Sequence, residues 1–137
     1  MTLLFAIHTA STWALVGLIW TMQLVHYPLF AQVGADAFRP YHQRHMRRIT
    51  LLAAPLMAVE VLTALWLVVR GEREFWFLVS LGPLAFNWIA TWWSLIPAHL
   101  RLSRGFEAEA HQRLLRGNRW RVLAWSVRGL CLLARVW

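Results

Sequence analysis

The sequence predicts an all-α fold: a four-helix transmembrane bundle with short amphipathic helices on its cytoplasmic side. Three observations lead there. The chain has 137 residues, enough for one compact unit and too few for two ordinary domains. It is 59% hydrophobic, and the apolar residues gather into four long blocks, about 3–30, 49–69, 75–100 and 120–137. A helix crosses a bilayer core in roughly 20 residues, a length that the first three blocks meet easily and the fourth only marginally. Residues 1–137 therefore read as a single four-span integral membrane domain.

Charge supplies the third observation and the orientation. The net charge of +8 comes entirely from arginine, because there is no lysine. A soluble chain this basic would point to nucleic acid. Here the arginines lie between apolar blocks, which argues against that partner and for a bilayer with anionic headgroups. Arg39, Arg44, Arg47 and Arg48 stand against Asp36 after the first block. Arg101, Arg104, Arg113, Arg116, Arg119 and Arg121 stand against Glu107 and Glu109 after the third. After the second, Arg70 and Arg73 are offset by Glu72 and Glu74. The positive-inside rule then puts both arginine-rich crossings in the cytoplasm of a bacterial inner (plasma) membrane and both termini outside. The N-terminal block lacks a basic n-region, is too long for a signal peptide and carries His8, Gln23 and His26, so it reads as a retained helix. Cys131 is alone, so no intrachain disulfide forms, and a buried thiol is the default.

The first helix starts near Leu3, and Pro28 marks a kink or an exit. At 100° per residue His8, Thr12, Gln23 and His26 fall in one narrow sector, a polar stripe that must face protein or water. Residues 38–48 read as a short basic interfacial helix capped by Asp36, with Pro40 in its first turn. His42 and His45 share one face of it, and Arg44, Arg47 and Arg48 reach toward lipid phosphates. The second span starts near Ile49, contains Pro55 and carries Glu60 about 16 Å along its axis, near mid-membrane. An ionisable group there faces the interior with a partner or is protonated; a structural ion pair and a functional carboxylate are both open.

The third span carries Pro83, Asn87, Trp92, Trp93, Pro97 and His99. Asn87 suits hydrogen bonding between helices, and the tryptophans suit packing or interface anchoring. Residues 106–115 read as a second amphipathic helix with Glu107 and His111, ended by Gly117, with Asn118 capping the last span. Arg121, Arg128 and Arg135 recur at intervals of seven on one side of that span. The outer two snorkel to the surfaces, whereas Arg128 is too deep and has Glu60 as its natural partner. No internal repeat, low-complexity tract or flexible linker is expected; the halves share a rough plan that topology alone would produce.

Five histidines, His26, His42, His45, His99 and His111, fall at the cytoplasmic boundary and are expected to converge. Imidazole suits zinc, copper, iron or haem, and helical bundles build such sites in their cores. There is no His-Glu-x-x-His, paired Glu-x-x-His or Cys-x-x-Cys, so proton movement and polar packing stay open beside a transition metal or haem. The nucleophile elbow, P-loop and dinucleotide fingerprint are absent too. The expected roles are metal ligation by the five histidines, catalysis by Glu60, Arg128 and Gln23, and cofactor contact by His26, Tyr27 and Trp92. Glu60 would act as acid, base or further ligand, with Arg128 setting its charge. Tryptophan-rich walls suit a small lipophilic ligand. The leading expectation is a metal- or haem-dependent membrane redox enzyme on a lipophilic substrate. Its competitors are a proton- or ion-coupled transporter-like or accessory bundle using Glu60, Gln23 and Arg128, and a pure assembly scaffold. A small four-span core is compatible with a homodimer.

Several motifs together resemble a family of small uncharacterised bacterial four-span membrane proteins. They are Trp-Ala-Leu-Val-Gly-Leu-Ile-Trp at 13–20, Gln23 with His26-Tyr27-Pro28-Leu29-Phe30, and Tyr41-His42-x-x-His45. Pro55-Leu-Met with Glu60, Pro97-x-His99, Gly105-Phe106 with His111, and Asn118 through Trp125 to Arg128 complete the set. The resemblance covers nearly the whole chain and implies the architecture and the site list, not an activity. Asn118-Arg119-Trp120 departs from the Asn-Trp pair expected of that family. More distantly, a histidine near the start of the first span and a proline-aromatic exit are similar to four-span haem-linked protoporphyrinogen oxidases, which implies redox chemistry. The glycine-to-proline spacing does not match that group.

Overall fold

A computed structural model describes residues 2–135, and these are almost entirely helical. Val136 and Trp137, the end of the expected fourth span, lie outside the described residues. α1 (Leu3–Thr21) is capped by Thr2, whose hydroxyl oxygen accepts the Phe5 N–H at 3.3 Å. A π-turn (Met22–His26) comes next, in which the Tyr27 N–H reaches back five residues to the Met22 carbonyl. Pro28 explains the widening. It has no N–H, and its ring would press on the carbonyl four residues earlier in a regular α-helix. The rod continues through α2 (Tyr27–Leu29) and a 3₁₀ turn (Phe30–Gln32).

α3 (Ala35–Val69) corrects one expectation: the interfacial helix 38–48 and the second span are a single 35-residue helix. Pro40 and Pro55 lie inside this helix, and each leaves the carbonyl four residues earlier without its intrahelical N–H donor. Gly34, not Asp36, occupies the N-cap, and Asp36 lies in the first turn. The helix gives way to a turn at Gly71, whose φ of 84° suits glycine. Glu74 then caps α4 (Phe75–Ala90), accepting the Trp76 and Phe77 N–H groups at 3.0 and 2.8 Å. A second π-turn (Thr91–Leu95) leads into α5 (Ile96–Leu102), with Pro97 just beyond it.

α6 (Ala108–Ala134) carries a second correction, because Gly117 does not end the helix and Asn118 does not cap one. A Cβ at position 117 would stand 2.6 Å from Ser94 Oγ and 3.2 Å from Leu95 Cδ2. The glycine serves close approach of α6 to the second π-turn, not termination.

Three rods, Leu3–Gln32, Ala35–Val69 and Phe75–Leu102, are long and apolar enough to cross a membrane. α1 packs on α3 and α6, and α4 packs on α6. Apolar clusters are stacked along the bundle: Phe5, Leu67, Phe77 and Leu132 at one end, Leu15, Ile19, Met57 and Trp125 in the middle, and Phe30, Phe38, Leu102 and Leu114 at the other. The outward faces are apolar as well, with Leu51, Val69 and Trp93 each about four-fifths exposed, at 79%, 82% and 80%.

The expectation of no internal repeat is also corrected. The two π-turns, Pro28 and Pro97, and His42-Gln43-Arg44-x-x-Arg47 and His111-Gln112-Arg113-x-x-Arg116 all recur at a spacing of 69 residues. Each half is a helix, a π-turn, a proline and a second helix bearing His-Gln-Arg in its opening turns. Few identical residues carry the pattern, and the backbone makes it visible.

Candidate functional site

Two polar clusters interrupt the apolar layers. The first surrounds Glu60, which is fully buried. Its Oε1 accepts from Thr12 Oγ1 at 2.8 Å and Arg128 Nε at 2.9 Å, and both carboxylate oxygens lie 3.2 Å from Trp125 Nε1. Arg128 Nη1 donates to the Ser80 carbonyl at 2.6 Å and Nη2 to His8 Nε2 at 2.8 Å. A guanidinium only donates, so His8 Nε2 accepts and its ring proton sits on Nδ1. Nδ1 then donates to Thr63 Oγ1 at 2.8 Å, and the Thr63 hydroxyl donates to the Val59 carbonyl at 2.6 Å. Every polar side-chain atom of this network has a partner. The expected Glu60–Arg128 pair is present in the structure.

The second cluster lies at the other end of the same rods. The Ser103 hydroxyl donates to the His99 carbonyl at 2.9 Å, so its oxygen accepts from His42 Nδ1 at 3.2 Å. His42 Nε2 must then accept from His99 Nδ1 at 3.1 Å, and His99 Nε2 accepts from the Tyr27 hydroxyl at 3.3 Å. The result is one directed chain, Tyr27 to His99 to His42 to Ser103. Beside it His26 Nε2 and His45 Nδ1 share a proton-mediated contact of 2.8 Å, with ring centroids 4.5 Å apart. The His45 ring lies 6.1 Å from those of His42 and His99, and its buried Nε2 has no partner among the described residues. Phe30, fully buried, sets its ring 5.2–5.6 Å from His26, His42 and His45 and covers the inner side of the group. A cleft of about 460 Å³ opens alongside, lined by His26, Tyr41, Arg44, His45, Arg48 and Leu52 among others.

The π-turn decides which residue faces inward. Regular periodicity puts His26 on the stripe of His8 and Thr12. The extra residue in the turn rotates the rest of the rod by roughly 100°. Tyr27 takes the buried position, and His26 moves to the partly exposed edge, where it lines the cleft.

His26, Tyr27, His42, His45 and His99 are therefore brought together; Glu60, Arg128, Gln23, Trp92 and His111 are not members of that group. Glu60 and Arg128 belong to the first cluster, so a single histidine–glutamate site is corrected. His8 and His26 are 18 residues apart on one rod, roughly 27 Å of helix, and Glu60 stands 15 residues from His45, roughly 22 Å. His111 lies beside the group, donating from Nε2 to the Tyr27 carbonyl at 2.8 Å, and so clamps the segment after the first π-turn. Gln23 accepts from Asn118 Nδ2 at 2.9 Å instead of entering either cluster. Trp92 is 62% exposed and is not part of the cleft lining. Asn87, expected to bond between helices, is buried, and neither of its side-chain polar atoms has a partner among the described residues. Glu107 pairs with Arg101, whose guanidinium holds its carboxyl below the usual range. Arg135 pairs with Glu72 at 2.6 Å, and Arg121 is buried instead of snorkelling outward. Sequence reasoning missed Phe30 and Ser103. The second was findable as a hydroxyl four residues after His99, one helical turn away.

Among the described residues no three His, Cys, Asp or Glu side chains already form a metal-binding group. The donor chemistry nevertheless fits a metal better than a haem. The 2.8 and 3.1 Å contacts of the two histidine pairs are N–H···N hydrogen bonds, so a metal would enter by replacing the protons that these nitrogens share. Two haem ligands would have to face each other across a macrocycle, and nitrogens in direct contact leave no room for one. A comparison with known protein families, with curated proteins and with solved structures finds no match.

Proposed function

We propose that the chain is a four-span protein of a bacterial inner membrane, with both termini outside. In this reading its paired imidazoles form a transition-metal site for redox chemistry on a lipophilic substrate admitted through the adjacent cleft. The membrane assignment rests on the three apolar rods, the apolar outward faces and the arginines gathered at one end. Phosphatase fused after residue 135 is expected to be active outside the cell, and fused near residue 104 to be inactive. The reverse pattern would overturn the orientation.

One observation supports the metal assignment: four imidazoles meet beside the cleft, three of them buried, and His42 already donates from its outer nitrogen to the Ser103 hydroxyl oxygen. Metal-bound histidines are held by such outer contacts. A bound first-row metal would supply one-electron chemistry. The chain's own residues do the rest. Ser103 and Tyr27 orient His42 and His99, Phe30 covers the inner side of the group, and Arg44 and Arg48 draw anionic groups to the cleft mouth. Elemental analysis of detergent-purified protein is expected to find copper or iron, lost in His42→Ala and His99→Ala and retained in Trp92→Ala; zinc alone, which has no redox chemistry, would overturn the redox part of the reading. Protein that stays metal-free after reconstitution with each metal would sink this reading.

The directed chain Tyr27–His99–His42–Ser103 favours a second reading, a proton relay without metal. Its signature is proton flux into vesicles by metal-free protein, abolished by His99→Ala. Absence of that flux removes it.

A further inference from the structure

Of the fourteen arginines only Arg121 and Arg128 are buried. Arg128 has Glu60; Arg121, 8% exposed, has no carboxylate partner among the described residues. Its guanidinium lies 4.7 Å from the centre of the Trp125 ring, and its Nε is buried without a partner among the same residues. The chain has six acidic residues; five are committed elsewhere, and the sixth is exposed and far from Arg121 in sequence. Glu60 pairs with Arg128, Glu107 and Glu109 with Arg101, and Glu72 with Arg135. Glu74 caps α4, and Asp36 is exposed in the first turn of α3. A buried cation that nothing among the described residues neutralises is costly, and a counter-charge from outside the chain would remove that cost.

The surroundings define that partner. Arg121 lines a small, partly open cavity of about 40 Å³ whose walls include Leu15, Ile19, Met22, Tyr27 and Trp125. That volume holds a small charged group and not a whole ligand. The cavity shares Met22 and Ile49 with the 460 Å³ cleft, so a larger body has a place to lie outside it. We propose that Arg121 anchors the carboxylate of a fatty-acid-like amphiphile, whose apolar body occupies the cleft between the first π-turn and α3. A planar carboxylate matches one guanidinium through two parallel hydrogen bonds. A phosphate, bulkier and more highly charged, would need donors that these apolar walls lack. Arg44 and Arg48 at the cleft mouth attract the acid, and Arg121 fixes its head. The inference rests on the cleft being the entrance for a lipophilic substrate, and not on a metal being bound.

The test uses the full chain in a neutral detergent, with dansyl-undecanoic acid and its methyl ester as probes. The acid is expected to bind at least about tenfold more tightly than the ester, the worth of a charge-assisted hydrogen bond. Oleate should displace it; oleyl alcohol and chloride should not. Arg121→Met should lose the acid preference while binding the ester unchanged and keeping the wild-type metal content. Arg121→Lys, which keeps the charge, should retain a preference and serves if the methionine variant folds poorly. Equal binding of acid and ester, an unaltered preference in Arg121→Met, or displacement by chloride as effective as by oleate would each overturn the proposal. Metal content, read in the same samples, separates such a failure from failure of the metal site.

Discussion

Arg128→Met is expected to destabilise the protein by about 3–5 kcal/mol, the cost of leaving a buried charge without its partner. Glu60 would keep only Thr12 and Trp125 as donors, and the Ser80 carbonyl and His8 Nε2 would each lose one. Glu60→Met should cost a similar amount, because it strands the guanidinium. Replacing both together by methionine removes two opposite charges from an apolar interior, and such exchanges are often close to neutral. The double variant should therefore recover most of the loss, short of the bonds that Arg128 makes to α4 and α1. Thermal and denaturant unfolding in detergent measures this. Wild-type stability in Arg128→Met, or a double variant weaker than either single one, would contradict it.

The same double variant decides what Glu60 is for. From the sequence, a structural ion pair and a functional carboxylate are equally open. The closed network favours the first, since no atom of Glu60 or Arg128 remains free for a substrate. A double variant that folds, keeps its metal and keeps its activity would assign the pair to assembly of the bundle. Loss of activity with metal and fold intact would return Glu60 to the chemistry.

How much of the fold is legible in the sequence depends on the range of the physics involved. Apolar block length and arginine placement are local properties, and the three apolar rods lie where those blocks do. The Glu60–Arg128 pair is legible because a deep charge has few alternatives, and these two are the deepest. Helix ends are harder to place where a residue has two physical uses. Gly117 suggests a helix end through its conformational freedom, whereas its missing side chain lets α6 approach Ser94. Grouping Glu60 with the histidines fails for a different reason. Shared polarity does not imply shared location, and 15 residues of continuous helix separate Glu60 from His45. His26 is displaced by the π-turn alone, an irregularity that no periodicity calculation includes.

That turn supports the last prediction. Deleting Val25 removes the extra residue and should convert Met22–His26 to regular α-helix. The segment beyond is pinned by the His111 bond to the Tyr27 carbonyl and by the packing of Phe30. The segment before is pinned by His8 and Thr12 in the Glu60 network. One of the two must rotate by roughly 100° and slide by about 1.5 Å. If the far end moves, Tyr27 leaves His99 and His26 leaves His45. If the near end moves, His8 and Thr12 leave Arg128 and Glu60. Metal affinity should fall at least tenfold to a hundredfold in the first case, as when supporting contacts of a ligand are lost, with the melting temperature little changed. In the second case the melting temperature should fall steeply while metal binding persists. Deleting Trp93 from the other π-turn poses the same test for His99. A Val25 deletion with normal metal content and normal melting would show that the π-turn does not set the register between the clusters. Pro28→Ala is the milder version. It restores an N–H, lets the α-helical form compete, and should move the same readout in the same direction by a smaller amount.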